Sequence, residues 1–553
     1  MRESSPAVAA QARRDLPLLA LVLLVALAVR AFLAFRGQVI FNDGPRFIDI
    51  ARAFVAGDTA HALTHAYHPL YSWLTAQAYP LFGDYERAGL AVSVLAGTLV
   101  GLPLWALLNG MFGRRVAWAG LVLWAVHPFA TDYAANVQSD SLYLFFFLTA
   151  VWALWTGLEA LPHAGAFGRF ALAGAASGLA YLTRPEGAGV VVLGGLWLVL
   201  ALRRLPQARH LREISARLLA GALLMACFVV PTYFYLKNIH DTTGMWQLTR
   251  KKSLTQLVSG RAKERPEWAK DTVKDEVIEE FGRPPIRKET KFEVYVVRGA
   301  RIFRTFSEAL TWLLVPFLVL GLLVRGRALL RTRSDLYLLS FFGLYGFTLY
   351  RLAVTLGYAG KRHVFPLVLL ALGWTGLGVV ALSRRLEIAL RARGSGWAKR
   401  SGAVLLTVLV VASLPKTLRT NVHEPLGEKQ AGFWIREHTP VGSTARVFAP
   451  RDRILYYADA DNVRVPLRFN YDAAIAYLRR YGADFVVTSD SMTDLVYPRF
   501  LERIGPEDLR REAEFPEREG SRQHYTVYRV LYPEGRPASV LSLPRTMKSW
   551  GRR

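Results

Sequence analysis

Cysteine is almost absent: Cys227 stands alone in 553 residues, inside an apolar run. An internal disulfide is excluded, so any domain outside a membrane has to fold without one. A lone membrane-embedded Cys reads as a small core residue. Acidic residues are scarce too, 43 Asp and Glu against 69 Lys and Arg, giving a formal net charge of +26. Internal repeats and low-complexity tracts are missing. Asp459-Ala460-Asp461 has the letters of a D-x-D nucleotide-sugar signature but no sensible strand context, and reads as a solvated acidic turn. No A-x-A-like cleavage site follows the first apolar run, which therefore reads as a retained helix and not a signal peptide.

Apolar surface is what the chain has in abundance. Hydrophobic residues make up 52% and aromatics 12%, and the mean hydropathy is +0.21. A bilayer core takes about 20 apolar residues per helical span, and the sequence supplies many such runs. The class is a polytopic α-helical membrane protein with a polar C-terminal part. The basic balance does not point to nucleic acid. The Arg residues cluster in short loops between apolar runs, the positive-inside pattern that sets orientation and meets anionic headgroups.

Eleven spans are expected, near 16–35, 86–108, 116–131, 141–158, 168–183, 188–202, 216–236, 302–324, 335–356, 363–383 and 401–415. Arg30 interrupts the first and would snorkel or face the protein interior. With residues 1–15 cytoplasmic, the loops at 109–115, 159–167, 203–215, 325–334 and 384–400 are cytoplasmic, and four of these five are Arg-rich. The opposite set begins with a first external loop, 37–85, and includes a long external loop, 237–300. This orientation puts the multi-pass membrane domain at 16–415, a small α/β extracytoplasmic domain at 416–535 and a loose tail at 536–553. In the α/β domain, helices are expected at 432–437 and 473–481, the latter stopped by Gly482. Strands are expected at 444–448, 463–465, 484–488 and 524–531.

One stretch after the first span, Phe41–Phe82, reads FNDGPRFIDIARAFVAGDTAHALTHAYHPLYSWLTAQAYPLF. Phe47, Ile50, Ala51, Phe54 and Val55 share a helical face, Arg46, Asp49 and Arg52 the opposite one, and Gly57 supplies a stop. The spacing predicts a short helix lying in the membrane interface, apolar face down. Asp43 precedes it, with Pro45 in the first turn. Two readings of Asp43 stand: a helix cap, or a carboxylate doing chemistry at the outer membrane face. His61, His65 and His68 are spaced i, i+4, i+7, which would line one helical face and suit zinc. Three His scattered in a loop are the commoner case, and no metal site is expected. The run Tyr67-His68-Pro69-Leu70-Tyr71-Ser72-Trp73 suits a sugar and a phosphate, or an ordinary interfacial aromatic belt.

The ordered set Asp43, Ile50-Ala51, Gly57-Asp58, His68-Pro69-Leu70-Tyr71, Leu81-Phe82-Gly83, Gly113-Arg114-Arg115, Pro128, Asp140, Thr183-Arg184-Pro185 and Arg362-His363 with Pro366 resembles the GT-C membrane glycosyltransferases. The branch is that of the protein O-mannosyltransferases, the lipid A aminoarabinose transferase and the Rgt-type sugar transferases. The resemblance covers about 16–383, and the C-terminal domain resembles the outward domains many of these proteins carry. The chain departs from the pattern in Gly44 after Asp43, in the absence of a second Pro after Pro69, and in His68 where Lys is common.

The resemblance implies a GT-C fold of about eleven transmembrane helices in an inner (plasma) membrane. It implies a polyprenyl- or dolichyl-phosphate sugar donor, a lipid, glycan or protein hydroxyl as acceptor, and inversion at the anomeric carbon. A carboxylate then takes the acceptor proton, and cations stabilise the departing phosphate, which needs no general acid. Asp43 is the expected base. Asp140 is the second acidic candidate, for acceptor orientation or a metal, or else a helix cap shared with Ser139. His68, Arg184, Arg362 and Lys361 are the expected phosphate ligands, with headgroup anchoring the competing reading, strongest for Lys361. Tyr67, Tyr71, Glu186 and His363 are expected to line the substrate, Glu186 also as a partner for Arg184. Some GT-C enzymes use a divalent ion and others do not; no cofactor is expected. The rival from another class is a transporter or flippase of a lipid-linked sugar, against which the missing duplication counts. A membrane-anchored sensor explains neither the Asp43 loop nor eleven spans.

Overall fold

The computed structural model describes residues 6–200, 210–244, 246, 248–249, 290, 292–356, 359–419, 425–467, 469–497, 499–518, 520–533 and 535. The chain divides into two compact units. The first holds residues 1–36, 53–261 and 289–420, and the second residues 37–52, 262–288 and 421–553. Most of the expected loop 237–300, and the tail 536–553, lie outside the described residues.

The first unit is helical. Seven helices among the described residues are long and apolar enough to cross a membrane: Asp15–Arg36, Tyr85–Phe112, Asp140–Ala160, Leu211–Thr242, Arg333–Val354, Lys361–Ala392 and Ala398–Arg419. They become eight if Glu293–Leu310 and Val315–Leu330, bent by 104°, count as one crossing. The bend follows Thr311, held at φ 70°, a left-handed conformation unusual for a β-branched residue. Three other expected spans look different. Residues 116–131 are split into helices Arg114–Ala125 and Pro128–Ala134, because Pro128 has no N–H to continue the first and holds His127 extended before it. Pro185–Leu200 is apolar but short. Gly165–Thr183 is helical throughout and rich in Gly and Ala.

Small residues let these helices approach backbone to backbone. A side chain at Gly174 would fall on the Leu224 carbonyl, and one at Gly178 on Phe228 and Pro231. Gly321 and Gly378 face each other's helices in the same way, their absent Cβ atoms replaced by the carbonyls of Trp374 and Phe317. Gly378→Val therefore has no room and is expected to lower stability by about 1–3 kcal/mol. Gly343→Ala, with nothing near its Cβ position, is expected to be neutral or mildly stabilising. Thermal unfolding of the detergent-solubilised protein checks both; equal melting temperatures for the two variants would refute the packing argument. Arg30 faces the protein interior, its Nη1 on the carbonyls of Ala26 (3.0 Å) and Ala125 (3.2 Å) and its guanidinium 4.4 Å from the Trp124 ring.

The second unit carries a five-stranded sheet: β1 (Arg446–Phe448), β2 (Asp461–Asn462), β3 (Phe485–Ser489), β4 (Leu509–Pro516) and β5 (His524–Val530), in the order β2-β1-β3-β5-β4. β1 pairs parallel with β2 and β3, while β5 is antiparallel to β3 and β4. Strand residues alternate between two apolar clusters. Val447, Phe485, Val487 and Val527 join Ile435, Ile454 and Leu455 on one face. Phe448 and Val486 join Tyr477, Leu478 and Phe500 on the other. Helices Leu426–Glu437 and Asp452–Ala458 thus cover one face and Tyr471–Arg480 the other, a two-sided α/β layering. The expected strand 463–465 sits two residues early, at 461–462. Val463 still donates to Val447 (2.9 Å), but the Val465 N–H turns back onto the Val463 carbonyl (3.1 Å) ahead of Pro466 and ends the ladder.

Candidate active site

Three helix ends and one short turn meet at the candidate site of the helical unit. Helix Gly165–Thr183 stops at Arg184 because Pro185 follows, and the residue before a proline is pushed out of the helical region. Arg184 is accordingly extended, φ −153° and ψ 139°. A short 3-10 turn, Pro185–Ala188, follows and is fastened from three sides. Gly187 lies so close to Ala180 and Tyr181 that no side chain fits. The Ser177 hydroxyl donates to the Gly187 carbonyl (2.7 Å), and the Tyr345 hydroxyl to the Glu186 carbonyl (2.7 Å). The backbone carrying Arg184 and Glu186 is therefore set by packing.

The Arg184 guanidinium forms an ion pair with Asp140, both side chains being largely buried, and reaches Glu186 at 3.6 Å. It also lies 5.7 Å from the Tyr143 ring. Asp140 is the first residue of helix Asp140–Ala160, with Ser139 in the cap position making no side-chain cap bond. The capping reading gives way to a carboxylate at a positive helix end that aims Arg184. Arg362 and His363 come from the first turn of helix Lys361–Ala392, where the His363 Nδ1 accepts the Gly360 N–H (3.1 Å). Together Tyr143, Arg184, Glu186, Tyr345, Arg362, His363 and Pro366 line a small, narrow cleft. Lys361 and Arg362 sit at a helix N-terminus that is already positive, a local disadvantage which a bound anion offsets.

The other expected residues are placed differently. Lys361 pairs with Glu308 at 3.3 Å and lies 5.1 Å from the Phe129 ring. His68 is buried between the rings of Tyr181 (5.0 Å) and Tyr235 (5.1 Å). Tyr71 is fully buried, its hydroxyl bound to the Gly89 carbonyl (2.8 Å) and Ser93 (2.9 Å), and burial raises its phenol further from ionisation. It packs the helix Leu70–Phe82 onto Tyr85–Leu99. Tyr67 is half-buried, its backbone N–H donating to the His65 Nδ1 (3.2 Å). His61, His65 and His68 do not share a helical face, because the helix runs only from Thr59 to Thr64 and His65 is extended beyond it. Among the described residues no group of three or more His, Cys, Asp or Glu is arranged to hold a metal ion.

Asp43 belongs to the second unit. It precedes the helix Gly44–Val55, and its carbonyl accepts from the N–H groups of Arg46 (3.1 Å) and Phe47 (3.4 Å). On the apolar face of that helix Phe47, Ile50 and Ala51 are buried within the protein, Phe54 is half-buried and Val55 is exposed. Gly57 ends the turn that follows, at φ 76°. Sequence reasoning missed Tyr143 and Tyr345. Tyr143 is three residues after Asp140 and so on its helix face, a legible signal; Tyr345 carries none.

Residues 64–234 match a family model described as dolichyl-phosphate-mannose-protein mannosyltransferase. By structure the chain is similar to ArnT from Cupriavidus metallidurans bound to undecaprenyl phosphate, with a TM-score of 0.56 and 13% identity over 95% of this chain and 99% of that one. The same protein in its apo state gives 0.53 and 16% identity over 93% and 98%. The archaeal oligosaccharyltransferase AglB from Archaeoglobus fulgidus, in complex with an inhibitory peptide and a dolichol-phosphate, gives 0.52 and 13% identity over 86% and 69%. At these identities the likeness is one of fold. A sequence search of curated proteins gives no match.

Proposed function

The chain has the fold of the GT-C membrane glycosyltransferases, and from that premise we propose that it transfers a sugar from a polyprenyl-phosphate donor to an acceptor hydroxyl. The observation that carries this reading is Arg184, clamped between Asp140 and Glu186 on a backbone fixed by Gly187, beside Arg362 and His363 in one cleft. Two guanidiniums at the ends of apolar helices suit a lipid-borne phosphate, since Arg binds phosphate through a planar fork and stays charged in a dry setting. ArnT with undecaprenyl phosphate and AglB with dolichol-phosphate lend support, as folds that accept such lipids.

In this reading Asp43 removes the acceptor hydroxyl proton. The acceptor oxygen bonds to the anomeric carbon from the face opposite the phosphate, the carbon–oxygen bond to phosphate breaks, and the configuration inverts. The leaving phosphate keeps the bonding pair, and Arg184 and Arg362 stabilise its charge. Asp140 holds Arg184 in place until phosphate competes for it. Reaction takes place on the extracytoplasmic side of the inner membrane, with the sheet domain on the same side. Arg362→Gln is expected to raise the donor KM at least tenfold. The assay reconstitutes the protein with polyprenyl-phosphate sugars and follows release of free polyprenyl phosphate by mass spectrometry. Movement of intact donor between leaflets, with no free polyprenyl phosphate released in the presence of native envelope acceptors, would overturn the transferase reading.

A further inference from the structure

The sheet domain grips the chain on both sides of Asp43, through one short helix. Three residues before Asp43, the buried Ile40 donates its N–H to the Tyr457 hydroxyl (2.8 Å) and receives the Arg453 guanidinium on its carbonyl (3.4 Å). Three residues after Asp43, Arg46 binds Asp452 through Nε (2.9 Å) and Nη2 (2.5 Å). Asp452, Arg453 and Tyr457 all belong to the helix Asp452–Ala458. Farther back, the Lys429 Nζ donates to the Gln38 carbonyl (2.6 Å).

That helix is itself tied to the sheet by a buried charge. Glu428 is 1% exposed and accepts both arms of Arg453, Nε on Oε2 (2.6 Å) and Nη2 on Oε1 (2.9 Å). The hydroxyl of Tyr525, on β5, donates to the same Oε1 (2.9 Å). A line of contacts thus runs from β5 through Glu428 and Arg453 to the backbone at Ile40. A bidentate Arg–carboxylate pair fixes orientation as well as distance, and the Glu428 carboxylate of this one is buried.

We propose that the sheet domain is a positioning module for the reaction, with Asp452, Arg453 and Tyr457 holding the Asp43 carboxylate in place from both flanks. The inference rests on Asp43 being the base. A base on a loop needs its backbone fixed, because a displacement of about 1 Å costs about a hundredfold in rate. The sheet and its helices supply the rigidity that the loop lacks.

The test uses Arg46 and Asp452, whose side chains are 28% and 19% exposed and tolerate change better than the buried Glu428. In the full-length protein Arg46→Asp and Asp452→Arg are each expected to lower kcat about a hundredfold, with the donor KM within about threefold of wild type. The double variant restores the pair with its charges exchanged and is expected to recover at least tenfold. Recovery is partial because Arg464, 3.8 Å from Asp452, opposes an Arg there. Wild-type kcat in either single variant, or no recovery in the double one, overturns the inference. So does a rise in KM alone. Asp43→Asn run alongside separates the two ideas. If it abolishes transfer while Arg46→Asp does not, the positioning role falls and the base stands. If it leaves transfer intact, the base reading falls and the positioning of Asp43 with it.

Discussion

Replacing Asp43 by Asn is expected to lower kcat by about 10²- to 10⁴-fold, the range that a positioned general base contributes. The amide keeps the shape of the carboxylate and cannot take a proton. The helix Gly44–Val55 starts on backbone bonds from Arg46 and Phe47 to the Asp43 carbonyl, which the substitution leaves in place. Asn is also as good a cap as Asp. Stability and donor binding should therefore hardly move, and the loss should appear in kcat alone. The check is a single-turnover assay with saturating donor, beside a melting curve and a donor-binding isotherm. Full transfer by a folded Asp43→Asn protein would remove Asp43 from the mechanism.

Arg184→Met is expected to be at least as severe and to fail in two ways at once. It takes the cation from the phosphate, and it leaves Asp140 charged and largely buried without its partner. Breaking a buried pair from one side costs about 3–5 kcal/mol, because the remaining charge has lost water and counter-ion together. The two losses come apart in a double variant. Asp140→Asn with Arg184→Met should regain most of the melting temperature, since no isolated charge remains, while transfer stays lost. Wild-type transfer in that double variant would make the pair a structural clamp and nothing more. Arg184→Lys is expected to fall between, retaining the charge but not the planar fork that reaches Asp140 and Glu186 together.

The membrane helices and the candidate residues were legible for different reasons. The first expected span, 16–35, is found at Asp15–Arg36, and 141–158 at Asp140–Ala160, because a long apolar run bounded by charge is a local signal. In the sheet domain, β3 and β5 announced themselves by apolar content and alternation. β4 did not, although it is the longest strand among the described residues. Its sequence, LRREAEFP, is charged because it is the edge of the sheet, where Arg and Glu keep other chains from pairing. The burial of Tyr71 was not legible, since its hydroxyl is satisfied by the Gly89 carbonyl and Ser93, 18 and 22 residues further along the chain.

The sequence by itself determined the class of molecule, where most of its long apolar helices lie, and which charged residues stand at helix ends. Each of these follows from hydropathy and from Pro, Gly and charge within a few neighbouring positions. Only the tertiary structure decided which of those ends meet. Asp140 and Arg184 lie 44 residues apart and become partners through the packing of their helices and the pinning of Pro185–Ala188. Likewise Ile40 and Tyr457, 417 residues apart, meet because the sheet domain closes on the segment around Asp43. Such pairings depend on close approach between distant backbones, at glycines and at buried ion pairs. No window of sequence contains both sides of that contact.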